Sequence, residues 1–262
     1  MLMEVGLVMP KFVCLIPCRL NSIRLPNKAL LKLGKYTLIE TVYRNVIKSF
    51  QEINLECDVF VCTDSDEIHS TLKKSDINIP CLITSSDSVN GTERIAEAYV
   101  NYGMNYDYII DVQGDEPFVS SNMIKIVSDE LLKYSSHDQS IVLPHQVVGY
   151  EEAKKESIVK LITDNYGKVI YITRSLVPFA YKSFSKEKIK YKKHLSVIGF
   201  TKSSLMQYHK LKRMNMELIE DIELLRSIEN NMNIISPFSN EHTFSIDTHE
   251  DFLKANSLIG YE

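Results

Sequence analysis

The stretch YDYIIDVQGDEPF, residues 106–118, joins a β-type apolar run to a loop that is rich in carboxylates. The run at 106–110 predicts a buried strand, and Gly114 and Pro117 predict the turn that follows it. In an open α/β sheet, ligands bind beyond the carboxyl ends of the strands. We therefore expect Asp115 to lie where an oxygen-liganded divalent cation could bind. An ordinary Gly-Asp turn is the alternative interpretation.

The segment of residues 5–39 carries positive charge only. It contains no Asp or Glu, whereas the whole chain has a formal net charge of −4. Its basic residues are Lys11, Arg19, Arg24, Lys28, Lys32 and Lys35. The positive charge is therefore a local feature of this segment rather than a property of the whole protein.

The basic segment has the order strand, loop, helix. Residues 12–16 form an apolar strand-like run, and residues 17–28 form a loop. Residues 38–47 have the apolar spacing of a helix, and Thr37 is a suitable N-cap. Arg binds phosphate through two parallel hydrogen bonds and Lys acts as a point charge, so this loop is a natural polyphosphate site. A solvated basic surface loop is the alternative.

Seven motifs of the chain resemble one enzyme family. Residues 16–28, IPCRLNSIRLPNK, resemble the IPARxxSxRLPGK signature of CMP-sugar synthetases. GTERIAE at 91–97 and VQGDEP at 112–117 resemble motifs of the 3-deoxy-manno-octulosonate cytidylyltransferase branch, also called CMP-Kdo synthetase. The other four matches are YITRSLVP (171–178), KHLSVIGF (193–200), EDIELLR (220–226) and IDTHEDF (246–252). The resemblance keeps the family order over roughly residues 11–256.

The order of the elements predicts an α/β fold. Strand-like and helix-like segments alternate in the first half of the chain, which indicates a mainly parallel central sheet with helices on both faces. The later strand-like segments lie at 140–144, 159–163, 169–173 and 195–201. They predict an inserted, partly antiparallel region at about residues 140–200. The resemblance implies a three-layer, Rossmann-like nucleotidyltransferase fold in which the insertion helps to form a homodimer.

The length and composition fit one such domain. We predict a dispensable extension at residues 1–10 and a single cytidylyltransferase domain at residues 11–262. The extension is apolar but short and lacks a basic start, which argues against a signal peptide or a membrane span. Five cysteines without a Cys-x-x-Cys pair predict reduced thiols in a cytoplasmic protein. Because positive charge is confined to one loop, a nucleic-acid partner is not expected.

The resemblance implies a reaction and a cofactor. CTP and a 2-keto-3-deoxy sugar acid, foremost 3-deoxy-D-manno-octulosonate (Kdo), would give CMP-Kdo and pyrophosphate for lipopolysaccharide biosynthesis. In-line displacement at the α-phosphorus needs charge neutralisation, so we expect Mg²⁺ with Asp115 and Asp247 as its ligands. Both residues follow strand-like runs, at 108–112 and 243–246. Asp247 followed by Thr248 could equally be the N-cap of a helix.

The resemblance also implies which residues contact each substrate. Those expected at CTP are Arg19, Ser22, Arg24, Lys28, Thr92, Arg94 and Gln113. Those expected at the sugar acid are Gln113, Arg174, His194, Glu220 and Glu223. The catalytic candidates are Lys28, Arg19 and Asp115. Lys28 would polarise the α-phosphate, and Arg174 would face the sugar carboxylate. Taken alone, His194 could be a surface histidine.

Residues 215–230 have the spacing of one helix. Its predicted core-facing stripe includes Ile219, and Glu217 belongs to a charged row that is typical of a solvated face. Leu224 stands in this segment where the family usually carries Gln before Leu-Arg. The change removes an amide that could bind the sugar.

The departures leave alternatives open. Asn27 stands where the family has Gly, but Asn tolerates a left-handed backbone and should keep the turn. Because of Leu224, the acceptor could be another acid sugar, such as an 8-amino analogue of Kdo or a nonulosonic acid. A catalytically idle nucleotide-binding relative is the second alternative. The acidic pair and the basic loop argue against it.

Overall fold

The structure is a computed structural model that describes residues 9–20, 22, 24–181, 184–242 and 244–259. The described chain forms strands and helices in alternation. The strands are β1 (Phe12–Cys18), β2 (Lys32–Leu33), β3 (Tyr36–Thr37), β4 (Cys57–Thr63), β5 (Cys81–Ile83), β6 (Tyr108–Val112), β7 (Ser140–Val142), β8 (His145–Val148), β9 (Lys160–Thr163), β10 (Val169–Thr173), β11 (Tyr191–His194), β12 (Val197–Thr201) and β13 (Asn233–Ile235).

The α-helices are α1 (Leu38–Glu52), α2 (Asp66–Lys73), α3 (Gly91–Asn101), α4 (Ser121–Leu131), α5 (Tyr150–Ala153), α6 (Lys202–Lys210), α7 (Asn215–Glu220), α8 (Leu225–Glu229) and α9 (His249–Ile259). Two short 3-10 helices lie at Lys28–Leu30 and Lys186–Lys188. Within the described residues, no helix is long and apolar enough to cross a membrane.

The central sheet has seven strands in the order β13-β7-β12-β6-β1-β4-β5. Strand β12 runs antiparallel to both of its neighbours, β6 and β7, whereas the other pairs are parallel. The predicted mainly parallel sheet is therefore confirmed. In parallel units the carboxyl ends of β1 and β6 open at the same edge, which is where the basic loop and Asp115 begin.

Strand β1 shows how the helices cover both faces of this sheet. Cys14 and Ile16 pack with α1, α2, α4 and α9, whereas Val13 and Leu15 pack with α3, α6 and α8. All four side chains are fully buried. Successive residues of a strand point to opposite faces, so a continuous apolar run is what a sheet covered on both sides requires. The result is the predicted three-layer architecture.

The first helix begins as its sequence predicts. The Thr37 side chain accepts a hydrogen bond from the Glu40 amide, and the Glu40 carboxylate accepts one from the Thr37 amide. This reciprocal capping box satisfies two amides that the helix itself cannot pair. Helix α1 therefore starts at a fixed place after the basic loop.

The inserted region differs from the prediction. Strands β8, β9, β10 and β11 form a separate antiparallel sheet in the order β10-β9-β11-β8. Strands β7 and β12, which we predicted in the same additional region, belong instead to the central sheet. Strand β12 pairs with β6 along five residues, and β7 pairs with the late strand β13. These partners are distant in sequence, and local periodicity does not identify them.

The predicted helix at 215–230 is wrong in one respect, because it is broken in the middle. Asp221 adopts a left-handed backbone with φ of 51° and ends α7 before α8 begins. The guanidinium group of Arg174 donates hydrogen bonds to the carbonyls of Glu220 and Asp221, at 2.7 and 3.0 Å. The break turns Ile219 outward, where it is 81% exposed rather than in the core.

Candidate active site

The loop after β1 presents Lys28 to the edge of the sheet. Asn27 has a left-handed backbone, with φ of 54° and ψ of 26°, and precedes the 3-10 helix Lys28–Leu30. The prediction that Asn27 keeps the turn is confirmed. The Lys28 side chain is 15% exposed and points toward the end of β6.

Gly114 lets the loop after β6 approach the loop after β1. Its amide donates to the Pro17 carbonyl at 3.2 Å, and a Cβ atom at this position would lie 2.7 Å from the same oxygen. Any side chain would therefore push the two loops apart. The Ile246 amide donates to the Asp115 carbonyl at 3.0 Å, which brings the 246–247 segment to the same place.

Two carboxylates converge on one ammonium group at this edge. The Nζ atom of Lys28 lies 2.6 Å from Oδ2 of Asp115 and 3.2 Å from Oδ1 of Asp247. The Nη2 atom of Arg24 lies 2.8 Å from the same Asp247 oxygen. Burial by itself lowers the pKa of Lys28, but the two carboxylates outweigh it and raise the pKa above its usual value. Lys28 is therefore charged at neutral pH.

The structure distinguishes the two roles considered for Asp247. The Thr248 hydroxyl accepts from the Asp251 amide at 3.2 Å, and the Asp251 carboxylate accepts from the amides of Asp247 and Thr248. Thr248 and Asp251 thus cap α9, and the Asp247 carboxylate faces the cleft. Residues 244–246 are not a strand, contrary to the prediction, and Thr243 lies outside the described residues.

Asp115 and Asp247 suit a hard cation. Their side chains are 27% and 32% exposed, so both carboxylates reach the cleft. No cluster of three or more potential ligands occurs within the described residues. Mg²⁺ is commonly held by one or two carboxylates together with substrate phosphates and water. The pair could therefore hold Mg²⁺ together with a nucleotide.

A cavity of about 590 Å³ opens beside this charge cluster. We call it the Lys28 half of the cleft. The predicted residues that line it are Arg19, Ser22, Arg24, Lys28, Arg94, Gln113, Asp115 and Asp247. Its backbone walls come from the loops after β1 and β6, so residues far apart in sequence form one charged surface.

A second cavity of about 270 Å³ continues from the first, and we call it the Arg174 half. The two cavities share Arg19, Asn90, Gly91, Gln113 and Asp221, so they form one cleft. The second cavity has an apolar floor that includes Leu143, Ile172, Ile198 and Leu224. Its charged and titratable lining residues include Arg174, Arg213, His194 and Glu223.

Gln113 lies where the two halves meet. Its Nε2 atom donates to both oxygens of Asp111, each at 3.0 Å. Burial raises the pKa of Asp111 well above its usual value, and the nearby charge of Glu223 adds to the effect. The buried Asp111 carboxyl therefore fixes the Gln113 amide, whose oxygen has no role in this contact.

Besides Gln113, three residues predicted at the sugar acid line the Arg174 half: Arg174, His194 and Glu223. Burial lowers the pKa of His194, whose Nδ1 lies 3.1 Å from the Leu195 carbonyl. Burial raises the pKa of Glu223, whose Oε2 accepts from the Thr92 amide at 3.0 Å. Both shifts favour the neutral form of the side chain.

Other predicted residues have different surroundings. Thr92 is completely buried and lines neither half, so the structure does not support a contact with the nucleotide. Arg94 lines the Lys28 half, but its guanidinium is paired with Asp64 at 3.0 Å. The Glu220 carboxylate accepts from the Thr173 hydroxyl and the Arg174 amide, so it supports β10 rather than facing the cavity.

Sequence reasoning missed a buried ionic cluster behind the Arg174 half. Glu217 is 1% exposed and binds Nε and Nη2 of Arg226, each at 2.7 Å. Arg226 also pairs with Glu93 at 2.5 Å. The charged row of residues 215–230 predicts that Glu217 faces solvent, and this prediction is wrong. No local pattern distinguished this glutamate, because its partner lies in another helix.

Asn90 was also missed, although a local signal existed. Its side chain accepts from the Glu93 amide and caps α3, and it lines both halves of the cleft. Asn followed three residues later by Glu is a recognised sign of a helix start. This cap places the N-terminus of α3 at the cleft.

Comparison with known proteins identifies the family. A family model described as Cytidylyltransferase matches residues 13–234. A 3-deoxy-manno-octulosonate cytidylyltransferase of Rickettsia typhi is 38% identical over 244 residues, which are 92% of this chain and 94% of the relative. The chain belongs to the 3-deoxy-manno-octulosonate cytidylyltransferase family. The enzyme of the same name from Rickettsia canadensis is 37% identical, over 92% of this chain and 93% of the relative.

Solved structures match the fold of this chain. A structure of CMP:2-keto-3-deoxy-manno-octonic acid synthetase complexed with CTP matches with a TM-score of 0.84 and 25% identity, over 96% of this chain and 99% of the other. A putative glucose-1-phosphate thymidylyltransferase of Bacillus anthracis matches with a TM-score of 0.60 and 15% identity, over 95% and 94%. The second likeness shows the shared nucleotidyltransferase fold alone.

Proposed function

We propose that this enzyme transfers CMP from CTP to Kdo and releases pyrophosphate. The observation that carries the proposal is the convergence of Asp115, Asp247 and Lys28 at the carboxyl edge of the sheet. Family membership supports the reaction class. The structural neighbour complexed with CTP supports the nucleotide, and the names of the relatives support the acceptor.

In this proposal the Lys28 half binds the triphosphate. Arg19 and Arg24 hold its oxygens in the ground state and in the transition state. Lys28 is the most buried cation of the loop that faces the cavity, so its ammonium stabilises the charge that develops during displacement at the α-phosphorus. When the triphosphate binds, the Lys28 ammonium can turn from the carboxylates to the phosphate.

We assign Mg²⁺ to Asp115 and Asp247. The fit rests on two partly exposed carboxylates whose oxygens approach a single cationic position. When bound there, Mg²⁺ would neutralise phosphate charge. The protein's own cations Arg19, Arg24 and Lys28 also line the Lys28 half, and these orient the nucleotide.

The Arg174 half then receives the sugar acid. Its apolar floor can contact the carbon skeleton, and Gln113 at the junction directs the sugar toward the nucleotide. The anomeric oxygen forms a bond to the α-phosphorus and gives up its proton to water, while the bond from this phosphorus to the α–β bridging oxygen breaks and pyrophosphate leaves on the side of Lys28. The order of the two halves along the cleft supports this direction of transfer.

Leu224 bears on which sugar acid is used. It is 3% exposed and forms part of the cavity floor at the position where the family usually has Gln. An aliphatic floor offers no hydrogen bond to a sugar hydroxyl, which is the one departure that raised an 8-amino analogue of Kdo or a nonulosonic acid as acceptor. The names of the relatives favour Kdo over these acids. A substrate panel of these acids under equal conditions separates the alternatives by kcat/KM.

The proposal is tested by pyrophosphate release. The purified protein is incubated with Kdo, Mg²⁺ and each of CTP, ATP and GTP, with reactions that lack the sugar as controls. CTP should be used well ahead of the purine nucleotides, because the relatives are named cytidylyltransferases and the structural neighbour is complexed with CTP. Equal turnover with ATP contradicts the assignment. Release that does not depend on the sugar contradicts the transfer.

Three further assignments are part of the same proposal. Product formation would serve lipopolysaccharide biosynthesis, and free, largely buried cysteines support the cytoplasm as the compartment. We also assign a homodimer to the inserted region, where Phe179 and Phe184 are 78% and 73% exposed. Sedimentation of the wild-type protein and of a Phe179→Ser, Phe184→Ser variant tests the dimer. An unchanged mass in the variant contradicts this interface.

A further inference from the structure

Three arginines line the Arg174 half of the cleft: Arg19, Arg174 and Arg213. The proposed acceptor is an acid, so its carboxylate needs a cationic partner in this half. A guanidinium binds a carboxylate best when two of its N–H groups are free to donate in parallel. The three arginines differ in how many of these groups the protein already uses.

Arg174 has few donors left. Its Nε, Nη1 and Nη2 atoms donate to the carbonyls of Glu220, Glu156 and Asp221, at 2.7, 3.3 and 3.0 Å. Its amide is also fixed by the Glu220 carboxylate at 2.6 Å. These contacts hold the left-handed turn at Asp221. Arg174 is therefore used to shape the wall of the cavity.

We assign Arg19 to the triphosphate in the Lys28 half. It lines both halves and lies in the loop after β1, next to the residues that face the triphosphate. A triphosphate carries more negative charge than one carboxylate, so Arg19 is drawn to the nucleotide when both substrates are bound. One arginine then remains for the acid.

Arg213 is held in place but keeps its terminal donors. Its Nε atom donates to Oε1 of Glu217 at 3.2 Å, and this is its one hydrogen bond within the described residues. Glu217 is itself fixed by two bonds from Arg226 and by the Asn90 amide at 3.2 Å. The Arg213 side chain is 33% exposed and lines the cavity. A buried carboxylate thus orients the guanidinium and leaves Nη1 and Nη2 for a ligand.

We infer that Arg213 binds the carboxylate of the sugar acid and is a specificity-determining residue of the acceptor half. The inference rests on the proposed function. It differs from the expectation that Arg174 faces this carboxylate, because the Arg174 guanidinium donates to three backbone carbonyls and is assigned here to positioning. The preferred partner of Arg213 is a carboxylate beside an anomeric carbon, which all the candidate acceptors carry.

The test compares Arg213→Gln with Lys212→Gln. Both changes remove one positive charge from adjacent positions, but Lys212 is exposed and lines neither half. Arg213→Gln should raise KM for the sugar acid about 10- to 100-fold, because the loss of a hydrogen bond between charged groups has an effect of this size. The kcat and the KM for CTP should stay within about twofold of the wild-type values. Lys212→Gln should leave all three constants unchanged. Arg213→Lys should recover part of the affinity, because lysine restores the positive charge but not the two parallel hydrogen bonds of a guanidinium.

A change of substrate shows whether Arg213 contacts the sugar carboxylate or only supports Glu217. The carboxamide of the sugar acid should be a poor substrate for the wild type. Arg213→Gln should raise the KM for this carboxamide little further, because the contact with the carboxylate is already lost. An equal loss with acid and carboxamide overturns the assignment, as does an unchanged KM for the acid. The comparison uses whichever acid the wild type accepts, so an acceptor other than Kdo does not affect it. A wild type that accepts none of the acids overturns the proposed function and this inference together.

Discussion

The two halves of the cleft hold their charges in opposite ways. In the Lys28 half, cations and carboxylates pair directly across the cavity and remain partly exposed, as with Lys28 and Asp115. In the Arg174 half, the charged groups are fixed from behind, as with Glu217 and Arg226, which are 1% and 2% exposed. The first arrangement can exchange its partners for a substrate. The second provides a rigid shape.

This contrast predicts different consequences of mutation. Charges that face the cavity should matter for turnover and little for stability. Charges and polar groups behind the wall should matter for stability and for how well the acceptor fits. The following variants test this division.

The largest effect is expected for the acidic pair. Asp115→Asn and Asp247→Asn should each lower kcat by about 10²- to 10³-fold, because each removes charge from a site built on electrostatics. The melting temperature should change little, since both side chains are partly exposed. Steady-state kinetics and thermal unfolding measure the two quantities on the same samples.

Asp251→Asn is the matched control for the acidic pair. It removes the capping carboxylate of α9 and should cost about 1 kcal/mol of stability while most activity is kept. If Asp247→Asn behaves like Asp251→Asn, then Asp247 serves the helix and not the cleft.

The next effect separates two cations of the basic loop. Lys28→Ala should lower kcat about 100-fold with little change in KM for CTP, because the ammonium acts on charge that develops in the transition state. Arg24→Ala should instead raise KM for CTP about tenfold, since its 61% exposed side chain holds the nucleotide in both states. The exposed Lys32, which lines neither half, is the control. A Lys28→Ala variant that changes KM alone would make Lys28 a binding residue.

The sequence predicts the Lys28 half of the site better than the Arg174 half. Lys28 and Asp115 follow short motifs in the loops after β1 and β6, and the common edge of a parallel sheet brings such loops together. Asp247 reaches them by another route, through the hydrogen bond from the Ile246 amide to the Asp115 carbonyl. Thr37 and Asn27 are likewise predicted, because a cap and a left-handed turn depend on local chemistry. Local signals therefore predict the Lys28 half well.

The Arg174 half depends on contacts between distant segments. The break at Asp221 follows from donors on Arg174, and the burial of Glu217 follows from Arg226 in the next helix. The periodicity of residues 215–230 predicts one helix, because it contains no Pro or Gly to end it. Tertiary hydrogen bonds outweigh this preference, and a single sequence does not show them.

A smaller effect concerns stability behind the Arg174 half. His145 pairs across the second sheet with His194, and burial, helped by the charge of Lys192, lowers the pKa of His145 to about 4. Between pH 6.5 and 4 the unfolded chain binds a proton that the folded chain does not, so stability falls as the pH falls. The free energy of unfolding falls by about 3 kcal/mol at most between these two pH values.

Urea unfolding of His145→Asn at pH 7 and pH 4.5 measures this contribution. The variant should be less stable at pH 7, but its loss on acidification should be smaller than that of the wild type by about 2 kcal/mol. Replacement of the exposed His137 is the control. An equal pH dependence in wild type and His145→Asn contradicts the account of the buried ring.

The last effect concerns the contact of the two loops in the Lys28 half. Gly114→Ala places a Cβ atom 2.7 Å from the Pro17 carbonyl and should cost about 1–3 kcal/mol, with a fall in activity because Asp115 moves. Gly149→Ala is the control, since nothing lies within 4 Å of its Cβ position. Equal melting temperatures for both variants contradict the close approach.

The central claim is that CMP leaves CTP at the Lys28 half and joins an acid in the Arg174 half. Phosphorus NMR of a reaction with CTP, Kdo and Mg²⁺ tests it most directly. The account predicts equal amounts of pyrophosphate and of a cytidine monophosphate diester of the sugar, with neither product formed by Asp115→Asn. Inorganic phosphate with CDP, or an unchanged yield from Asp115→Asn, would contradict it.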